Sequence, residues 1–141
     1  MATTTFLGNA TINITVGATT TDLTDNCSKA EVSLTKEALE STAFGSTARV
    51  YVSGLENNEV TLTLFNSYGA GEIEAVLYSA WGTPCTLVIS PSGTSESATN
   101  PEYTIANTFL EKITPINSAV GELSVVEAVF KGGTSARDIT P

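Results

Sequence analysis

Period-two alternation of apolar and polar residues constrains this chain more than any other feature. Across residues 10–16, Ile12, Ile14 and Val16 fall on one side of an extended backbone while Thr11, Asn13 and Thr15 fall on the other, the pattern of a half-buried strand. After a polar turn at residues 22–26 it returns with Ala30, Val32 and Leu34 opposed by Glu31, Ser33 and Thr35. Residues 49–53 and 59–66 are the next strand candidates. The intervening SGLENN carries a glycine and tandem asparagines suited to a tight reversal, so this pair is expected to form a hairpin. Residues 85–89 form a continuous apolar run, and residues 103–113 and 122–130 are two long strand candidates linked by TPINSAVG. Charged residues make up only 15% of the chain, against about a quarter in ordinary domains. The missing polarity is supplied by Thr, Ser and Asn, which favours strands over exposed helices.

One segment breaks the alternation. Ile73, Val76, Leu77, Ala80 and Trp81 lie at the i, i+3, i+4, i+7, i+8 spacing of a single helical stripe. Glu72 and Glu74 fall in its first turn, where carboxylates complement the helix dipole, and Gly82 and Pro84 supply the stop. Strands, one helix at about residues 70–81, then strands predict a mainly β protein, a β-sandwich or barrel with one flanking α-helix. With 141 residues the chain has the size of one domain. The N-terminal segment and residues 132–141 are expected to be flexible, the latter as a tail or an arm that orders on assembly.

The same residues narrow the function. There is no histidine, which removes the commonest general base and metal ligand together with every Ser-His or Cys-His nucleophile pair. Fifteen acidic residues against six basic ones give a formal charge of −9, a surface that repels phosphate backbones and anionic lipid. Cys27 and Cys85 show no CxxC spacing, so they read as buried small hydrophobes, with a disulfide as the alternative. The start, MATTTFLGNATINITVGA, has neither a basic n-region nor a continuous apolar core, and no stretch approaches a membrane span. A protein made and kept in the cytoplasm until assembly is expected. The sequons at Asn9, Asn13 and Asn26 are chance in a chain so rich in Ser and Thr.

Local motifs for chemistry have plainer readings. The S-x-x-K match from Ser33 to Lys36 lies on an alternating strand rather than at a helix start. Glu72 and Glu74, two apart on a helix, diverge and cannot flank one atom. Asp22, Asp25 and Asn26 offer oxygen ligands in a loop, yet the spacing matches no EF-hand and a solvated turn accounts for them. Gly69, Gly71, Gly132 and Gly133 lack the lysine of a phosphate loop. The expectation is a non-enzymatic protein without cofactor or metal.

Two stretches, LTKEALESTAFGSTARVYVSGLENNEVTLTLFN and TFLEKITPINSAVGELSVVEAVFKG, resemble the tail tube (major tail) proteins of long, non-contractile-tailed bacteriophages. In that family a strand leads into (D/E)-x-T-x-F-G, an Arg or aromatic strand, a Gly-Leu turn and an alternating strand. Here Glu40, Thr42, Phe44, Gly45, Gly54 and Leu55 occupy those positions, followed by Val60, Leu62 and Leu64, then by a short helix with a Trp near its end. The closing strand, proline link, glycine turn and strand are matched with Pro115 and Gly121 in place. The resemblance covers roughly residues 32–132. It departs at Ser46, where the family often has an acid. It implies a subunit that closes into hexameric rings, which stack into a virion tube through which DNA passes without specific binding. Its implied partners are further copies of itself, a tape measure protein and other tail proteins. The loop at residues 39–47, with Leu39, Glu40, Thr42, Phe44, Gly45 and nearby Arg49, is the expected contact with neighbouring subunits or rings, with Phe44 as anchor. The alternative for Phe44 is a ring folded back on its own domain, and the alternative function is a capsid decoration or other virion surface protein.

Overall fold

Alternation of the kind found in residues 10–16 satisfies its backbone only by pairing, and each such stretch finds a partner strand. A computed structural model of the chain describes residues 8–140. Ten strands and one helix follow in order: β1 (Thr11–Val16), β2 (Thr19–Asp22), β3 (Cys27–Ser33), β4 (Lys36–Glu40), β5 (Tyr51–Glu56), β6 (Glu59–Phe65), α1 (Ile73–Ala80), β7 (Pro84–Ser90), β8 (Glu102–Ile113), β9 (Val125–Lys131) and β10 (Thr134–Asp138). Seven strands run β2-β1-β7-β8-β9-β6-β3 in an antiparallel sheet, β10 pairs with β8, and β4 and β5 form a separate two-stranded ribbon. The protein is mainly β, a sandwich with one helix.

The core follows from the pleat. Ile12 and Ile14 of β1, Val60, Leu62 and Leu64 of β6, Cys85, Leu87 and Ile89 of β7, and Val126, Ala128 and Phe130 of β9 all turn inward. Leu77, Ala80 and Ile73 of α1 close the same cluster. Ser67 starts the helix from outside it, accepting from Ile73 N at its Oγ (3.3 Å) and from Glu74 N at its carbonyl (3.1 Å). Trp81, expected on the buried stripe, sits one residue past the helix in extended conformation and stays half exposed, because Gly82 (φ +75°) turns the chain there. Both cysteines are free; Cys85 is buried, and desolvation pushes its thiol up to about 11.

Two expectations are corrected. Residues 134–138 are not a tail. β10 continues β9 along β8: Lys131 lies opposite Phe109, and Thr134 opposite Ala106. The two partners keep one register across a break made by Gly132 (φ +80°) and Gly133 (φ +85°), beside Asn107, itself at φ +57°. Composition concealed this strand because its residues, TSARD, carry no apolar alternation. Second, β5 and β6 do not form a hairpin. SGLENN runs straight through from β5 into β6, since β5 pairs with β4 and β6 pairs with β3 and β9. The turn expected at residues 22–26 is present as a 3-10 turn at Thr24–Asn26; the strand before it, β2, was not foreseen, and Leu23 between them is buried in the core. Of the N-terminal segment expected to be flexible, residues 1–7 lie outside the described residues.

The double-glycine break is closely packed: a Cβ on Gly133 would stand 2.4 Å from the Ala106 carbonyl oxygen and 3.0 Å from Thr108 N. Gly121 has a similar φ of +82° but open space around it. Gly121→Ala is therefore expected to cost about 1 kcal/mol through its backbone conformation alone. Gly133→Ala should cost at least ~2 kcal/mol more, because backbone must move. Urea unfolding of the two variants separates these outcomes.

Candidate assembly surface

The sequence motif around Phe44 sits at the end of a long two-part hairpin. β3 and β6 pair within the main sheet up to Ser33 and Glu59, and beyond them the same two chain directions continue as the β4–β5 ribbon. Asn57 N donates to Thr35 O (2.7 Å) across the junction. The ribbon is an arm, exposed at every residue of β4 and at four of the six residues of β5.

All six residues singled out in the sequence lie on this arm. Leu39 and Glu40 belong to β4 rather than to a loop, opposite Val52 and Tyr51. Thr42, Phe44, Gly45 and Arg49 form the tip. Val50 N donates to Thr42 Oγ1 (2.9 Å) and Ser41 N to Val50 O (2.8 Å), which closes the tip at its base. Ser46 N donates to Ala43 O (3.2 Å) and Gly45 takes φ +89°, so the end is a defined turn. Arg49 reaches Glu40 at 2.7 Å, an exposed pair worth at most about 1 kcal/mol. Phe44 is fully exposed, so it does not fold back onto its own domain.

Leu34, Val50, Tyr51, Val52 and Leu55 also present apolar surface on the arm. The sequence reading missed them as a group because the VYV run looked like an ordinary sheet strand. The available signal was that apolar residues occupy both parities there, which suits a ribbon covered by something on each face.

The arm is fixed at its root. Asn58, only 1% exposed, donates from Nδ2 to Gly133 O (3.2 Å) and Glu56 Oε1 (3.3 Å), while Gly132 N donates to Asn58 O (2.8 Å). Glu56 Oε1 also accepts from Ser135 Oγ (2.7 Å) and Ser135 N (3.4 Å). These bonds, the Ser135 hydroxyl foremost, hold the Glu56 carboxyl below the usual carboxylate range. The strand missed in the sequence, β10, is thus what anchors the arm suspected from it.

A second apolar region lies at the other end of the sheet. Asn66 Nδ2 and the Tyr68 hydroxyl both donate to Pro115 O (2.9 and 2.7 Å), joining the loops that follow β6 and β8. Exposed Ile116, Val120 and Leu123 lie in the second loop. Tyr78 and Trp81, with ring centroids 6.2 Å apart, stand beside it over a groove lined also by Ile113 and Pro115.

This architecture, a folded-over antiparallel sheet with one helix and a long ribbon, defines a class. The chain has the fold of tail tube proteins. Among solved structures it is similar to a chain of the SPP1 tail tube (TM-score 0.74, 10% identity, 95% of this chain and 79% of that one). It is similar also to a chain of the anti-feeding prophage tube-terminating cap (TM-score 0.66, 13% identity, 99% and 95%). A third is a chain from the virion of a native gene transfer agent (TM-score 0.64, 10% identity, 92% and 95%). A contractile injection system's sheath–tube complex matches as well, so the fold does not separate contractile from non-contractile systems. No protein-family model and no curated protein sequence matches the chain.

Glu56→Ala is expected to lower hydrogen-exchange protection at the Ser135 amide while leaving the β6 amides unchanged. Acid should do the same to the wild type. A carboxyl whose folded pKa is lowered stabilises fully above its ordinary value and loses that contribution as pH falls through the folded one. After correction for intrinsic exchange, Ser135 should keep its protection through the usual carboxylate range and lose it only as pH falls through the lowered Glu56 value.

Proposed function

We propose that this chain is the structural subunit of a virion tail tube, closing into rings, six to a ring, that stack into the channel for DNA delivery. The observation that carries the reading is the arm: apolar side chains on both faces of a ribbon, hydrogen-bonded at its root and left exposed among the described residues, on a tail-tube fold. Such surface is retained where another protein covers it. Further copies of the same chain are the first partners, and a tape measure protein and other tail components the next.

Leu39, Glu40, Thr42, Phe44, Gly45 and Arg49 are the proposed contact residues. Phe44 anchors, Gly45 permits the turn, and Thr42 and the Glu40–Arg49 pair set the tip's shape. The role is mechanical rather than enzymatic. A net charge of −9 suits a wall past which a polyanion slides, since attraction to phosphates would retain it. Cyclic closure also gives the end strands β2 and β3 of the sheet a neighbour to pair with.

Negative-stain electron microscopy of the purified protein across a concentration series tests this, because ring closure and stacking obey mass action. Rings or hollow tubes are expected. A chain that stays monomeric at every concentration, and instead binds a preformed capsid shell, would overturn the reading in favour of a decoration protein.

A further inference from the structure

We propose that the groove between α1 and the C-terminal end of β8 receives the arm tip of a second copy of this chain, with Phe44 seated against Tyr78 and Trp81. This rests on the self-assembly reading above and adds where the arm goes.

The groove has a volume of about 340 Å³ and is lined by Tyr78, Trp81, Ile113 and Pro115, with Glu111 and Lys112 at its rim. Trp81 is 52% exposed there, a cost that neither the helix nor the core requires, since Leu77 and Ala80 already complete the helix's buried face. An aromatic pair open to solvent on one side is a natural seat for another ring.

Position fixes the occupant. β6 and β8 run in the same direction, both antiparallel to β9. The arm leaves the sheet where Glu59 and Phe109 flank Lys131, whereas the groove runs the other way from that level, from Trp81 beside Leu110, past Lys112 and Ile113 opposite Val129 and Ala128, to Pro115 at the far end. The arm continues β3 and β6 outward from the Glu59 end, away from its own groove. Another copy, displaced along the strand direction, brings the two together.

Charge agrees. The arm carries Glu40 and Arg49 2.7 Å apart, and the rim carries Glu111 and Lys112, whose contacts to Lys131 (3.5 Å) and Glu127 (4.0 Å) are loose. One charge of each sign on either side allows crossed pairing as the ring docks. Because arm and groove are different patches, the contact is heterologous and propagates rather than closing on itself.

Trp81 is the single tryptophan, so its fluorescence reports the groove alone. On assembly of the wild-type full chain, emission should shift to shorter wavelength. Phe44→Ala should remove that shift and raise the concentration needed for assembly about tenfold or more. Its melting temperature should match the wild type, since Phe44 is fully exposed in the free subunit. Assembly with unchanged Trp81 emission, or a Phe44→Ala variant that assembles and shifts like the wild type, overturns the groove as receiving site while leaving tube formation standing. A wild type that never assembles overturns the tube reading, and this proposal with it.

Discussion

The long ladder between β8 and the β9–β10 run is the element on which the rest of the structure depends. From Leu110 to Glu102 the partner keeps one register with β8, across a break where Asn107, Gly132 and Gly133 all take positive φ, and the register shifts only between Leu110 and Lys112. That break lets β9 pair with β6 on its other side while β10 lies beside the start of the arm. Glycine is needed for a steric reason at Gly133, where the Ala106 carbonyl occupies the space a Cβ would take. The core on one side of the break and the arm on the other are therefore oriented by the same few backbone atoms.

A two-stranded ribbon with both faces in water is marginal by itself. The β4–β5 arm has no third strand and little of its surface is covered, so its direction comes from the root. Asn58 is the central residue: its backbone carbonyl accepts from Gly132 N, and its buried side-chain Nδ2 donates to Gly133 O and to Glu56. Buried amides left unpaired are costly, which makes this junction resist local rearrangement. An arm held in one direction before it meets a partner loses less entropy on binding than a flexible loop would.

Much of this was legible in the sequence, and the misses share one cause. β1, β6, β7 and α1 were readable because each buries one face in the core, so alternation or helical spacing marks them: Ile12 and Ile14, Val60 to Leu64, Ile73 to Ala80. β2 and β10 were not, since TTTD and TSARD are polar on both faces and exist as strands only through the neighbour they pair with. SGLENN misled because its composition matches a hairpin turn, whereas its Gly54 lies against the Glu37 side chain, whose Cβ is 3.0 Å from an ideal glycine Cβ, and Asn58 is consumed by a tertiary bond. Local propensity yields to such long-range partners. The six arm residues came from a family pattern, and composition contributed only the exposed Phe44. The groove at Tyr78 and Trp81 was hidden because Trp81 continues the helical stripe in spacing while the chain leaves the helix just before it.

The polarity of the fold links these points to assembly. An arm rooted at the Glu59 end of the sheet and apolar loops at the Phe65 end give each subunit two dissimilar ends. Subunits joined through one patch shared by both would stop at a pair, whereas dissimilar ends add copies in a single direction. In the proposed assembly, ring closure through the sheet edges and stacking through the arm would use separate surfaces. Surface area at one contact can be tuned without disturbing the other, and the core needs to satisfy neither. Most of the exposed apolar groups of a chain with only 15% charged residues accordingly gather on the arm and around the opposite end, while the threonine-rich faces of β1 and β6 stay polar.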